Sequence, residues 1–311
     1  MDILVTGGSG FVGTNFIHYI LDKYPDYNVI CVDIKNKNNF LDIEDNDRFS
    51  FCFIDVCNYE EMLKIFKFWF SFDVIINFVS ESTEDTKELI SSNIVSVCTL
   101  LDIVKKFKVK KFLQVSSDEV YDANQKSVET SLLKPENLFS ATKASADLLA
   151  LSYFSEFKIP VIISRSSSSF GPFQNPNIFI PQIITDIIEN KEIILSDTYN
   201  KKDWLNVLDY CRVLETLIHY GKPGEIYNSS CENETENDEI AQFIINYMGL
   251  PESVLNNVVD RQNNRMKHAL DCSKIRKEFG WTPKLEFKES LIDTIEWYKE
   301  NQEWWRKLKT K

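Results

Sequence analysis

The sequence predicts an α/β chain folded around a doubly wound parallel sheet, and three observations predict it. Short apolar runs alternate with longer helical patterns through the first half of the chain. Several of those runs are continuously apolar, and a glycine cluster stands where the first strand gives way to the first helix. A strand buried on both faces has no solvated side and reads as an unbroken apolar run. Strand–helix–strand repetition is the pattern of a parallel sheet covered by helices.

In order, strands are expected at Ile3–Thr6, Val29–Asp33, Phe51–Asp55, Val74–Phe78, Phe112–Ser116 and Val161–Arg165. Helices are expected at Asn15–Tyr24, Leu89–Phe107 and Ser140–Phe157. The second half is less regular. Pro172, Pro176 and Pro181 punctuate a loop after Gly171, with a helix from about Pro181 to Asn190. The polar stretch Asn233–Asp238 is expected to cap a helix over Glu239–Tyr247, and Leu291–Leu308 reads as one Trp-rich amphipathic helix. No repeat or low-complexity linker interrupts the chain, so a second lobe is expected to pack directly on the first.

At 311 residues the chain is long enough for a substantial core, and 43% hydrophobic and 26% charged residues describe a globular protein. A net charge of −12 argues against a nucleic-acid partner, which needs a basic face; the basic run Arg306–Lys311 reads as a solvated tail. The seven cysteines are scattered without CxxC spacing and read as free thiols in a reducing compartment. Three histidines far apart in sequence give no zinc pattern, so no metal is expected. The chain starts directly with a strand, shows no signal segment, and has no run approaching the roughly 18 apolar residues of a membrane span. A cytoplasmic protein without membrane contact is expected.

Four of only nine glycines, Gly7, Gly8, Gly10 and Gly13, fall within TGGSGFVG. The loop leaves a strand and opens a helix, the context in which glycine lets a pyrophosphate approach backbone N–H groups at a helix N-terminus. Asp33 closes the next strand, twenty positions beyond Gly13, where a carboxylate binds ribose hydroxyls and repels a 2′-phosphate. NAD is therefore favoured over NADP, with Lys35 and Lys37 nearby as the countervailing charges. Further on, FLQVSSDEVY carries an apolar strand into Ser117, Asp118 and Glu119, and Lys143 follows on the next long helix. Ligands of open α/β sheets bind just outside strand C-termini, so acid, base and lysine there suggest proton and hydride chemistry.

TGGSGFVG, SSDEVY, FSATK, GPFQNP, KKDWLNV and TIEWYKENQEWW together resemble the nucleotide-sugar 4,6-dehydratases of the extended short-chain dehydrogenase/reductases, whose best-known member acts on dTDP-glucose. The resemblance covers nearly the whole chain, and the Asp-Glu pair is its most specific part. It implies an NAD-binding Rossmann domain over residues 1–170. It also implies a smaller, mainly substrate-binding α/β lobe over 171–311, with residues of about 204–230 returning to the Rossmann sheet. The reaction implied is redox-neutral: bound NAD takes hydride from C4 of a dTDP- or UDP-glucose, water leaves across C5 and C6, and hydride returns to C6. Glu119 would remove the C5 proton and Asp118 would protonate the departing hydroxyl, with Ser117 and Lys143 completing the catalytic set. Two neighbouring carboxyls can hold such different protonation states through environment. The cofactor residues implied are Gly7, Gly10, Phe11, Val12, Gly13, Asp33, Asp55, Val56, Val79, Ser116 and Lys143. The substrate residues implied are Glu81, Ser82, Ser169, Lys202, Asn228, Arg261 and His268.

Several positions depart from the family. The tyrosine expected four residues before the lysine is Phe139, which cannot take a proton; a positioned general base is worth about 10²–10⁴ in rate. The segment after the fourth strand reads Ser80–Asp85 without the family's histidine. Ser169 replaces an asparagine, Asn177–Ile178 lacks a basic residue, Lys202 replaces an arginine, and His268 replaces a common tyrosine. Two functions follow. One is a dehydratase impaired by Phe139, with Lys143 or Tyr121 as substitute base. The other is a catalytically dead binder of NAD and a nucleotide sugar, regulatory or structural. Broad apolar faces around Leu89–Val104 and Ala144–Phe154, paired in relatives, imply a homodimer.

Overall fold

Seven parallel strands run through the centre of the protein: β1 (Asp2–Thr6), β2 (Asn28–Asp33), β3 (Phe49–Phe53), β4 (Val74–Asn77), β5 (Lys111–Ser117), β6 (Val161–Ser166) and β7 (Ile226–Ser229). The computed structural model describes residues 1–35, 38–69, 71–195, 201–251, 254–257 and 267–309. Their spatial order is β7-β6-β5-β4-β1-β2-β3, so the winding reverses between β1 and β4. That is the switch point at which a doubly wound sheet opens a crevice beyond its strand ends.

Helices cover both faces of this sheet, and others build a second lobe beside it. They are α1 (Phe11–Lys23), α2 (Tyr59–Trp69), α3 (Thr86–Ile90), α4 (Ser96–Val104), α5 (Leu138–Phe157) and α6 (Phe179–Ile188), followed by α7 (Val207–Tyr220), α8 (Asn237–Tyr247), α9 (Ser273–Phe279), α10 (Phe287–Glu300) and α11 (Gln302–Lys309). Alternation along β1 sends Ile3 and Val5 into the core beneath α1 and α7, and Leu4 into the core beneath α2, α4 and α5. Full burial on both faces is why the strands read as unbroken apolar runs. A third core joins Phe170 and Trp204 to α6, α8 and α10, alongside a smaller sheet that includes Lys126–Ser127, Lys201–Asn206, Glu234–Glu236 and Lys267–Leu270. Among the described residues no helix is long and apolar enough to cross a membrane. All seven cysteines are free thiols.

Four expected elements differ from those observed. The third strand ends at Phe53, which leaves Asp55 and Val56 in the following turn. The helix expected over Leu89–Phe107 is interrupted by a π-helical turn, Ser91–Val95. That turn seats Asn93, whose amide accepts from Glu81 N at 2.8 Å and donates to Glu81 O and Thr142 Oγ1 at 3.0 and 2.9 Å. Asn233–Asp238 is not a side-chain cap: Glu234–Glu236 pairs antiparallel with Lys201–Asp203, and α8 starts at Asn237 without a capping side chain. The last helix is two helices, because the Asn301 N–H and side-chain amide both bond Trp297 O, at 2.9 and 2.8 Å, and end α10 there.

Candidate active site

The crevice at the switch point is built on the glycine loop. Gly7 has φ +70, and a Cβ on it would stand 2.6 Å from Val79 N; one on Gly13 would stand 2.7 Å from Gly8 Cα. Only glycine permits both the left-handed turn and the press of loop against β4 and helix. Gly10 is the N-cap of α1 and offers no side-chain cap, so the first-turn N–H groups have no partner within the helix. Ser9 Oγ is buried and unpartnered. Open N–H groups, an orphaned hydroxyl and a helix N-terminus together suit the pyrophosphate of a dinucleotide.

Asp33 is buried at the end of β2, where Oδ2 accepts from Ser9 N and Oδ1 from Lys35 N, both at 2.8 Å. It lines a cleft of about 560 Å³ with Gly7, Gly10, Asp55, Val56, Val79 and Glu81. The Lys35 ammonium lies 3.2 Å from the Glu81 carboxylate, a partly exposed pair at the rim of this cleft. Lys37 lies outside the described residues.

A second cleft of about 650 Å³ continues from the first across Gly7, Gly10, Phe78 and Ser80. Its walls include Phe11, Val12, Gly13, Ser116, Ser117, Phe139, Lys143 and Tyr210. An asparagine cap and a capping box at Asn137 start α5, setting Phe139 and Lys143 one turn apart. Lys143 is buried; its ammonium donates to Val115 O at 2.8 Å, and burial pushes its pKa down to about 8 against the opposing field of Asp147. Asp147 accepts from Ser116 Oγ at 3.0 Å and pairs with Arg165 at 2.8 Å.

Asp118 and Glu119 form a single 3₁₀ turn at the end of β5, with Ser117 as its cap. Asp118 is buried; desolvation first, then the Glu119 charge, pushes its carboxyl up to about 7, with Lys202 pulling the other way. Glu119 is half-exposed and lies 3.5 Å from the Asn137 amide. Adjacent carboxyls thus occupy unlike environments, one suited to hold a proton and one open to solvent.

The residues expected to bind substrate are not all brought together. Lys202 acts electrostatically on Asp118. Glu81 instead joins the Asp33 cleft, and Ser82 N bonds the Glu81 carboxylate at 3.3 Å. Ser169 pairs beside Leu205, with its hydroxyl buried and unpartnered. The backbone of His268 pairs with Lys202, and Arg261 lies outside the described residues. Asn228 is not among the residues lining either cleft. It is fully buried, with its amide spent on Tyr121 OH at 3.0 Å and Ser127 O at 3.2 Å, and its N–H on Glu129. Tyr121 is likewise not among the lining residues: its hydroxyl accepts from Arg165 at 2.6 Å and donates to Asn228, and burial pushes its pKa up against the pull of Arg165. Phe78, Ser80 and Tyr210 line the inner cleft without having been expected from sequence. Phe78 and Ser80 were accessible to the strand-end rule, because they follow β4 at the switch point.

Comparisons with known proteins agree with this geometry. A profile of the family described as GDP-mannose 4,6 dehydratase matches residues 4–294. A dTDP-glucose 4,6-dehydratase of an Actinoplanes species is 32% identical, covering 98% of this chain and 100% of its own. The dTDP-glucose 4,6-dehydratase of Bacillus anthracis, solved in complex with NAD, superposes with a TM-score of 0.93 at 36% identity, covering 99% of each chain. The Streptomyces venezuelae enzyme of the same name, also solved with NAD bound, gives a TM-score of 0.93 at 30% identity, over 99% of this chain and 100% of its own.

Proposed function

The chain belongs to the GDP-mannose 4,6 dehydratase family of nucleotide-sugar enzymes, and on that premise we propose that it dehydrates dTDP- or UDP-glucose to the 4-keto-6-deoxy sugar. The observation that carries this reading is the buried Asp118, its carboxyl pushed up to about 7, next to the half-exposed Glu119 at the end of β5. The glycine loop, the orphaned Ser9 hydroxyl and Asp33 would hold NAD, a cofactor present in both of the similar solved structures. NAD, when bound, supplies a temporary acceptor of hydride, so the overall reaction consumes no oxidant. Lys143 takes the C4 hydroxyl proton in place of the missing tyrosine, since burial brings its pKa to about 8 and it lines the inner cleft. Glu119 removes the C5 proton once the neighbouring carbon is a ketone. Asp118 gives its proton to the C6 oxygen, which leaves as water.

Phe139 in the cleft wall favours a second reading, a non-catalytic binder of NAD and a nucleotide sugar. The two are separated by incubating the protein with NAD and either TDP-glucose or UDP-glucose, then weighing the product. Loss of one water supports the dehydratase and names the nucleotide. An unchanged sugar with NAD retained supports the binder. In either reading the protein pairs with a second copy through α3–α5, a reading supported by the exposed Ile90, Val95, Leu148 and Phe157. The seven free thiols support a cytoplasmic setting.

A further inference from the structure

The Trp-rich segment at the end of the chain takes no part in that chemistry, yet it reaches the cofactor loop. On one side α11 is anchored to α6: the Lys309 ammonium bonds Asp186 at 2.6 Å and Glu189 at 3.3 Å, and Arg306 bonds Glu189 at 3.1 Å. On the other, the Trp304 indole N–H donates to Asn39 Oδ1 at 2.8 Å. The Asn39 amide nitrogen then donates to Ser9 O and to Thr14 Oγ1, both at 3.1 Å. Ser9 belongs to the glycine loop, and its own N–H is the donor to Asp33 Oδ2 at 2.8 Å. A short chain of hydrogen bonds therefore runs from the last helix, through a loop residue, into the turn that faces a dinucleotide.

The direction of these bonds matters. An indole N–H only donates, so it must face the oxygen of Asn39, and this leaves both amide hydrogens for Ser9 and Thr14. The Ser9 carbonyl only accepts, so indole and loop fix the amide in the same sense, one from each end. The Trp304 ring is itself seated. It meets Phe173 at 5.6 Å and Trp297 at 5.2 Å, edge to face. Phe173 holds a left-handed φ of +63 and stacks on His18, whose Nε2 donates to Asn39 O at 3.0 Å. A residue without glycine's freedom keeps such a backbone only where its surroundings hold it there. Ser9, by contrast, sits between glycines and gains little order from its own backbone.

We propose that Trp304 and Asn39 are positioning residues for the dinucleotide: they hold Ser9 and the glycine loop in the shape that receives the pyrophosphate, and they tie that shape to the second lobe through α11. Ordering the loop in advance removes that cost from binding. The inference rests on the reading that the cleft takes NAD.

The test is the rate at which NAD leaves the full-length protein, loaded with excess NAD and then diluted. Trp304→Phe keeps the aromatic packing and removes only the donor; Asn39→Ala removes the relay and leaves α11 alone. Each should release NAD about three- to tenfold faster, the worth of one hydrogen bond. Combining them should add nothing to Asn39→Ala alone, because Trp304 acts through Asn39. Loss of packing alone would instead give additive effects. Wild-type release rates in both variants, or additive losses, would overturn the proposal while leaving the cofactor reading intact. A wild-type protein that retains no NAD would overturn both.

Discussion

The Lys143 ammonium donates to the Val115 carbonyl at 2.8 Å, in the same cleft wall that carries Phe139 one helical turn earlier. The carbonyl orients the amine, and burial favours its neutral form by bringing the pKa to about 8. A neutral, oriented amine can take a proton; the phenyl ring beside it cannot.

Lys143→Ala should abolish turnover, with product formation falling at least about 10²-fold, the lower bound of a positioned general base. Single-turnover product analysis checks it. Retained turnover would rule out Lys143 as the base.

Phe139→Tyr should raise the turnover number by roughly 10²–10⁴ if the remaining site is competent. The substitution adds one hydroxyl to a half-buried ring at the cleft. A variant that still forms no product from either nucleotide sugar would favour the non-catalytic reading.

Turnover should pass through a narrow maximum between two ionisations. Asp118 must hold its proton to release the C6 hydroxyl, and it loses it around 7; Lys143 must be neutral, and it becomes so around 8. Activity therefore climbs on the acid side as Lys143 deprotonates or falls on the alkaline side as Asp118 does, with the two limbs overlapping and only a minority of molecules correctly protonated. A pH profile of kcat reads both limbs. A rate independent of pH across the neutral range would exclude this pair of roles.

Asp118→Asn should stabilise the fold while ending activity. The carboxyl's pKa is raised from 3.8 to about 7 in the folded protein, so its charged form is disfavoured there. The penalty is absent below the lower value, grows between the two, and is complete above the upper one. Denaturant melts should show a gain of roughly 1–4 kcal/mol for the variant in mildly alkaline buffer, vanishing in acid. An equal gain at both extremes would place the effect in packing, not in charge.

Much of the cofactor half was legible because its chemistry is local. A glycine loop between strand and helix, a carboxylate closing the next strand, and an Asp-Glu pair closing another are each set by neighbours in the chain. The missing tyrosine is equally local, and Phe139 sits where its spacing from Lys143 said it would. The substrate half was less legible. Asn228 was expected to meet substrate, but Tyr121 and Ser127 arrive from distant parts of the chain and enclose it. Glu81 was expected at the sugar, and the structure places it in the cleft lined by Asp33, paired with Lys35.

The sequence by itself determined the alternation of strands and helices, the glycine loop between the first strand and helix, the adjacent carboxyls at a strand end and the lysine on the next long helix. Period, glycine placement and residue type act over a few positions and survive without knowledge of the fold. Only the tertiary structure decided which carboxyl is held protonated, that the lysine is desolvated, that Tyr121 is locked to Arg165, and that the last helix reaches Ser9 through Asn39. Burial and pairing are made by residues far apart in the chain, and a proton's affinity for a site follows from them.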